Sequence, residues 1–171
     1  NKEAIERTKN FKSFWAQYEN EIIGGLEEIF GLNFQREVID VYIVSNAPRS
    51  YSNPIILPAS YCCVNKFTVT LAHELIHRLL ELNKNNIGSA LLKHLSDHYQ
   101  EESTSTQIHI LVYVALGLLF TDKIKNDEAM EIIGEIPPTS QDNISYIRAY
   151  NYAQEVNKKS FMENIRHLYN Q

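Results

Sequence analysis

The order of sequence patterns in this 171-residue chain predicts an α+β fold, with a small mixed β-sheet near the N-terminus and a mainly helical C-terminal part. Runs rich in β-branched residues are concentrated in residues 38–58, whereas apolar residues at helical spacing dominate before and after that region. The length favours one domain over residues 1–171, and a domain of this size buries about 70% of its unfolded surface. An ordinary hydrophobic core is therefore expected.

The N-terminal elements follow from local patterns. Apolar residues recur at helical spacing over residues 3–30, and Gly31 is a suitable C-terminal stop for that helix. Val38 to Val44 is rich in β-branched residues and predicts a strand. Residues 54–58 predict a short extended piece, and its two flanking prolines indicate a sheet edge or a strand end.

Helices are predicted for most of the remaining chain. The expected helices cover residues 67–83, 89–96 and 97–120, with a break at residues 84–88 and two or three amphipathic helices after residue 120, interrupted at Gly134 and Pro137-Pro138. The apolar stretch from Ile108 to Phe120 is shorter than the roughly 20 residues that span a bilayer, so a buried core helix is expected and not a membrane span.

Composition narrows the classes of function. The net charge is −5 and no long basic run is present, so a nucleic-acid interface is not expected. The adjacent Cys62 and Cys63 do not suggest a disulfide framework, and we expect buried free thiols in a reducing compartment. A cytoplasmic location follows from this, although a signal peptide that had already been removed would leave no trace.

The segment His73-Glu74-Leu75-Ile76-His77 has the form H-E-x-x-H inside a predicted helix. The two imidazoles lie one helical turn apart, about 40° from each other around the axis, and can bind one metal ion. Glu74 lies beside them and can accept a proton from water, as a general base does in metalloproteases. The opposite side of this helix is apolar, so the polar groups would be buried. A purely structural pair of core histidines is the simpler alternative.

A catalytic zinc ion usually has three protein ligands and one water. The extended motif H-E-x-x-H-x-x-G-x-x-H is excluded, because Leu80 and Asn83 occupy its glycine and third histidine positions. The predicted helix over residues 97–120 instead offers one polar stripe on an otherwise apolar surface. This stripe consists of His98, Glu102, Thr106, His109 and Tyr113.

Within that stripe, Glu102 is the preferred third metal ligand, and Glu101, His98 and His109 are the alternatives. Glu101 and Glu102 could equally form a solvated first helical turn. His109 could be a core histidine that is hydrogen-bonded to a backbone carbonyl. As a further alternative, His109 or Tyr113 could act in catalysis by stabilising an oxyanion near the metal.

Through His73, Glu74, His77 and Glu102, the chain resembles the gluzincins, the zinc peptidases typified by thermolysin, over about residues 38–116. The resemblance implies a zincin-like domain in a minimal form, a Zn²⁺ cofactor, and a peptide or protein substrate. It also suggests that Ile55 to Ala59 is an edge strand that pairs with an extended substrate. Two positions depart from the family pattern: Arg78 replaces an uncharged residue, and Thr106 stands where Asp is frequent.

The expected function is therefore a zinc-dependent hydrolase, most simply a peptidase, in which Glu74 is the general base. Two other classes remain open. One is a metalloprotease-like regulatory or binding protein with little or no turnover, and the other is a structural zinc site in a helical domain. The presence of Glu74 argues against a structural site, because such a site needs no base. The identity of the substrate and the oligomeric state are not predicted.

Overall fold

The computed structural model describes residues 2–35, 38–45, 47–61, 63–134 and 142–169. Over these ranges the chain is a mainly helical α+β protein with one small mixed sheet, as the sequence predicts. The elements in chain order are α1 (Lys2–Phe30), β1 (Val41–Val44), β2 (Tyr51–Ser52), β3 (Ile55–Pro58), α2 (Val64–Leu82), α3 (Lys84–His98), α4 (Thr104–Leu118), a π-helical segment (Leu119–Ile124), α5 (Asp127–Gly134), α6 (Asp142–Glu155) and α7 (Lys158–Tyr169).

Local chemistry explains where the first two helices begin and end. Gly31 follows α1 with φ +66, a left-handed conformation that glycine adopts without steric cost, so the predicted stop is confirmed. Helix α2 begins after Cys63, whose Sγ accepts a hydrogen bond from the backbone N–H of Lys66. Cys63 is exposed, so the expectation of a buried thiol is wrong for this residue. Cys62 lies outside the described residues.

The sheet has the strand order β1-β3-β2, with β3 parallel to β1 and antiparallel to β2. Of the two expectations for the prolines of residues 54–58, the sheet edge is therefore wrong and the strand end is confirmed. Pro54 precedes the strand and Pro58 is its last residue, so neither removes a backbone donor from the middle of the ladder. Ile55 and Leu57 are buried in the core, which favours a central position for β3.

Helix α4 lies at the centre of the molecule. The stretch Thr104–Ile124 is long and apolar enough to cross a bilayer, and 78% of its most apolar window is buried inside the protein. The prediction of a buried core helix between Ile108 and Phe120 is confirmed. Helix α4 contacts α2, and it also contacts α6.

Two predicted helix boundaries are wrong. Helix α3 runs without a break from Lys84 to His98, because Gly88 adopts no positive φ and continues the helix. The predicted helix over residues 97–120 is instead divided between α3 and α4. Ser103 has extended backbone angles, and its Oγ accepts a hydrogen bond from the backbone N–H of Thr106, which starts a new helix. Residues 99–103 therefore separate His98 from α4.

The three C-terminal helices agree with the predicted two or three amphipathic helices. Helix α5 ends at Gly134, as expected. Pro137 and Pro138 lie outside the described residues. In α6, Ala149 and Ala153 are fully buried, and their small side chains allow this helix to approach α4 closely.

The cap at the start of α4 gives a first testable prediction. Ser103→Ala removes the side-chain acceptor for the Thr106 N–H and should lower the free energy of unfolding by about 1 kcal/mol. Ser89→Ala is the matched control, because Ser89 is exposed inside α3 and alanine favours the helix. Urea denaturation followed by circular dichroism measures both. A Ser103→Ala protein as stable as the Ser89→Ala protein would contradict the capping role.

Candidate metal centre

Helices α2 and α4 bring three imidazoles together. His73 and His77 lie one turn apart on α2, and their Nε2 atoms are 3.2 Å from each other. His109 on α4 completes the group, with ring centroids 5.3 Å from His73 and 5.0 Å from His77. One nitrogen from each ring lies within 4.8 Å of the other two. This is a compact arrangement of three groups that could hold a metal ion.

The orientation of His109 is fixed by the backbone of its own helix. Its Nδ1 lies 2.7 Å from the carbonyl oxygen of Ser105, and because a carbonyl only accepts, Nδ1 must be the protonated nitrogen. The neutral ring then has its lone pair on Nε2. Metal-binding histidines commonly have this second hydrogen bond, which selects the tautomer and holds the ring in place. His109 therefore fits two of the predicted alternatives at once. It is a core histidine bonded to a backbone carbonyl, and it is also placed where it could be the third metal ligand.

The spacing of the nitrogens fits a bound metal. With Zn–N bonds of about 2.0–2.1 Å and tetrahedral angles, two coordinating nitrogens lie about 3.3 Å apart. The Nε2 atoms of His73 and His77 are 3.2 Å apart, close to that value. A single hydrogen bond between two neutral imidazoles has a similar length, so this distance alone fits both cases. The third ring brings another nitrogen within 4.8 Å of both, which a metal ion could use as a further ligand.

Burial keeps the three imidazoles neutral. It lowers the pKa of His73 well below the usual histidine range, and the charges of His77 and His109 lower it further. Burial, followed by the charge of His109, lowers the pKa of His77 to about 4. Burial also lowers the pKa of His109, and the Ser105 hydrogen bond partly offsets this. Neutral imidazole is the form that coordinates a metal, so the three rings are in the required protonation state at neutral pH.

Glu74 is buried, with 6% of its surface exposed. Burial raises the pKa of its carboxyl group, and a hydrogen bond with Ser50 and the positive charge of Arg49 lower it again in part. Ser50 also bonds to Tyr61, whose pKa burial raises. The carboxylate is therefore held by the loop that connects β1 to β2, and it is poised to accept a proton nearer to neutral pH than an exposed glutamate is.

The three histidines and Glu74 lie on the wall of one cavity of about 800 Å³. This volume is within the usual range for sites that bind small molecules. Its walls come from the loop and strand around Arg49 to Ser52, from one face of α2, and from one face of α4. Part of α5 and Tyr146 of α6 also line it.

Two tyrosines flank the imidazoles. The ring of Tyr146 is 4.3 Å from that of His109, and the ring of Tyr113 is 6.4 Å from that of His73. Burial, followed by the neighbouring Tyr146 and Tyr150, raises the pKa of Tyr113 to about 12. Its hydroxyl group is therefore protonated at neutral pH and can donate a hydrogen bond. The predicted position of Tyr113 near the histidines agrees with the structure.

The structure does not bring Glu102 into the histidine group. Glu102 lies before α4, and its carboxylate accepts hydrogen bonds from Arg148 at 3.2 Å and from Tyr152 at 3.4 Å. Its selection as third ligand assumed one continuous helix from residue 97, and the break at residues 99–103 invalidates that geometry. His98 ends α3, donates to the carbonyl oxygen of His94, and is likewise outside the group. Glu101 is exposed and also outside it.

Arg78 is the charged residue directly after the H-E-x-x-H motif, and it forms an ion pair with Glu81. Its Nη1 lies 3.0 Å from Glu81, one turn further along α2. Glu81 in turn accepts a hydrogen bond from Asn53. The guanidinium is therefore part of a polar link between α2 and the turn before β3, and Arg78 does not line the cavity among the described residues.

Four residues of the cavity wall were not predicted from the sequence: Tyr146, Ser50, Arg49 and Tyr61. Tyr146 is far from the motif in sequence, and the available signal was its spacing from Tyr150 on one face of α6. Ser50 and Arg49 are in a loop without periodicity, so no sequence pattern identified them.

Comparisons with known proteins add no assignment. The chain matches no family model, no curated protein and no solved structure.

The three buried histidines predict a pH dependence for the metal-free protein. Because their folded-state pKa values are lowered, the unfolded chain takes up protons first as the pH falls below about 6.5, the ordinary histidine value. The contribution of His77 to stability is thus present above about pH 6.5 and is lost as the pH falls to about 4, and those of His73 and His109 change in the same direction. Each histidine adds a slope of up to about 1.4 kcal/mol per pH unit.

Urea denaturation with a chelator present, between pH 7 and pH 5, tests this prediction. His77→Phe retains an aromatic ring but takes up no proton, so it should reduce the slope. The exposed His167 supplies the control variant His167→Phe, which should have the wild-type slope. Equal slopes for all three proteins would show that the histidine group does not govern stability in this range.

Proposed function

We propose that this protein is a zinc-dependent hydrolase of zincin-like type that cleaves peptide bonds. The observation that supports this most strongly is the convergence of three imidazole nitrogens within 4.8 Å, beside a buried carboxylate on the wall of an open cavity. Each part has a chemical role in metal-assisted hydrolysis: ligands, a general base, and space for a substrate.

In this proposal His73, His77 and His109 hold the metal. Three neutral imidazoles suit zinc and leave one coordination position open, as catalytic zinc sites require. A structural site usually has four protein ligands, and the group has only three members among the residues that the structure describes. The proposed ligand set keeps H-E-x-x-H but replaces the glutamate that the gluzincin resemblance implies with His109.

A bound zinc ion supplies Lewis acidity, which polarises a substrate carbonyl and acidifies a water molecule. Glu74 would accept a proton from the attacking water as the water oxygen bonds to the carbonyl carbon and the C=O π bond opens. It would then give this proton to the amine nitrogen as the C–N bond breaks and the C=O bond re-forms. The raised pKa of Glu74 suits both transfers. Ser50, through its hydrogen bond, and Arg49, through its charge, hold the carboxylate in position.

Tyr113 and Tyr146 are the candidates for stabilising the negative charge that develops on the carbonyl oxygen. Both line the cavity, and both rings contact the histidine group. A tyrosine hydroxyl that stays protonated can donate to an oxyanion, which is a frequent source of rate acceleration. The raised pKa of Tyr113 supports this role.

The cavity wall supports a peptide as substrate. β2 is an edge strand of the sheet, and its residues Tyr51 and Ser52 line the cavity. The free edge of β2 can pair with an extended peptide through backbone hydrogen bonds. This assigns to β2 the role that the sequence analysis gave to Ile55–Ala59, since β3 is occupied on both sides.

Metal binding tests the proposed ligands. His109→Ala should reduce zinc affinity by more than the roughly 10–100-fold that loss of a residue orienting a ligand costs. Glu102→Gln should leave the affinity nearly unchanged, because Glu102 pairs with Arg148 and Tyr152. Competition with a chromophoric chelator measures both variants, and circular dichroism checks their fold. A larger effect from Glu102→Gln than from His109→Ala would restore the gluzincin-type ligand set.

Glu74→Gln separates catalysis from binding. The amide retains the size of the side chain but accepts no proton, so zinc content should be unchanged while hydrolysis falls by about 10²–10⁴-fold. Glu81→Gln is the matched control on the same helix, because Glu81 pairs with Arg78 away from the cavity. Cleavage of a peptide library, followed by mass spectrometry, measures the rates.

The alternatives give different results in the same experiment. Equal cleavage by wild type and Glu74→Gln would refute the proposed mechanism. Zinc binding by both proteins without any cleavage would favour a metalloprotease-like binding or regulatory protein.

A further inference from the structure

The charge on the cavity wall is opposite to that of the chain. The protein has 21 acidic and 16 Lys and Arg residues, and its net charge is −5. Among the described residues that line the cavity, by contrast, the cations are Arg49 and Lys66, and the one carboxylate is Glu74. A bound divalent metal would make this wall more positive. The cavity therefore favours an anionic group in its ligand.

The two cations have different surroundings. Arg49 lies close enough to Glu74 to affect its pKa, and its guanidinium stacks 5.0 Å from the ring centroid of Tyr51. Lys66 is half-buried, and it forms no ion pair with any residue in the described part of the chain. Lys66 is thus the cation whose charge is available to a ligand.

Helix geometry sets the distance between Lys66 and the histidine group. Lys66 precedes His73 by seven residues on α2, which places it on nearly the same face and about 10 Å away along the axis. Leu116 follows His109 by seven residues on α4, so it lies at a similar distance on the facing helix. The cavity is therefore a trough that runs along α2, with the histidines at one end and Lys66 at the other.

The floor of this trough is apolar, including at the end where Lys66 lies. Val69, Leu116 and Ile133 are buried and line the cavity, and Ile132 lines it as well. An extended peptide advances about 3.3 Å per residue, so about three residues cover the distance from the histidines to Lys66. One apolar side chain of such a peptide would rest on this floor.

We propose that the substrates are peptides with a carboxylate about three residues from the cleaved bond, which Lys66 binds, and with an apolar side chain between them. This inference rests on the proposed peptidase function and adds the class of substrate. The carboxylate is either an Asp or Glu side chain or the C-terminus of the peptide, since both present the same anion to an ammonium group.

A library of decapeptides, half of them amidated at the C-terminus, tests the proposal with zinc-loaded protein. The expected result is enrichment of Asp, Glu or a free C-terminus about three residues from the cleaved bond. Retention of enrichment in the amidated half identifies side-chain carboxylates, and its loss identifies the terminal carboxylate. Lys66→Met should lower the ratio of acidic to neutral cleavage about tenfold, and Lys66→Glu should favour basic residues there. Raising the salt concentration should weaken the preference of the wild type.

Lys84→Met is the control, because Lys84 is exposed at the start of α3 and does not line the cavity. It should retain the wild-type ratio. Cleavage without a preference for acidic groups, or a preference that survives Lys66→Glu, would overturn the inference and leave the peptidase proposal standing.

A binding measurement makes the outcome decisive when no cleavage occurs. Calorimetry with the zinc-loaded Glu74→Gln variant measures the binding affinity of two peptides. One contains Asp or Glu, and the other has Asn or Gln at the same positions. Tighter binding of the acidic peptide, reduced by Lys66→Met, would support the anion site, and the absence of cleavage by the wild type would separately refute the proposed hydrolysis. Equal binding of both peptides, or binding of neither, would overturn the inference.

Discussion

The structure depends on one constraint: four polar side chains, two buried and two half-buried, lie on the faces of two helices that also form the hydrophobic core. His73, His77 and Glu74 share α2 with the fully buried Ile76 and Leu79, so α2 cannot turn its polar face to solvent without exposing its apolar face. Burying an unsatisfied polar group costs free energy, and burying a charge costs far more. The neutral state of the imidazoles removes the larger of these costs.

The same constraint decides which helix lies opposite α2. α4 is apolar on nearly every side, and His109 is one of the few polar residues in its buried part. Placing His109 against His73 and His77 gathers the polar groups of two core helices in one location, where they can bind the same ion or one another. The rest of both helices can then pack as an ordinary core. The cavity lies where the apolar packing between α2 and α4 is interrupted by this polar group.

Features that depend on residues close together in the sequence could be predicted, whereas features that depend on contacts between distant residues could not. The motif helix, the stop at Gly31 and the buried α4 depend on local patterns, and all were predicted. The relation between His109 and Tyr113 was also predicted, because both lie within α4. Glu102 was misplaced because angular spacing holds only within a continuous helix, and the Ser103 cap interrupts it. The central position of β3 depends on pairing with a strand distant in sequence, which no local pattern records.

Glu102 nevertheless contributes to the site through α6. Its carboxylate is almost fully buried and bonds to Arg148 and Tyr152, so it links the start of α4 to the helix that presents Tyr146 to His109. Because Arg148 is more than half exposed, solvent screens this ion pair and its contribution to stability is modest. The buried Ala149 and Ala153 pack α6 against α4, and the edge contact between Tyr113 and Tyr150 adds to this packing. Close helix packing therefore sets the distance of Tyr146 from the histidines, and the Glu102 ion pair adds one polar contact between α6 and the start of α4.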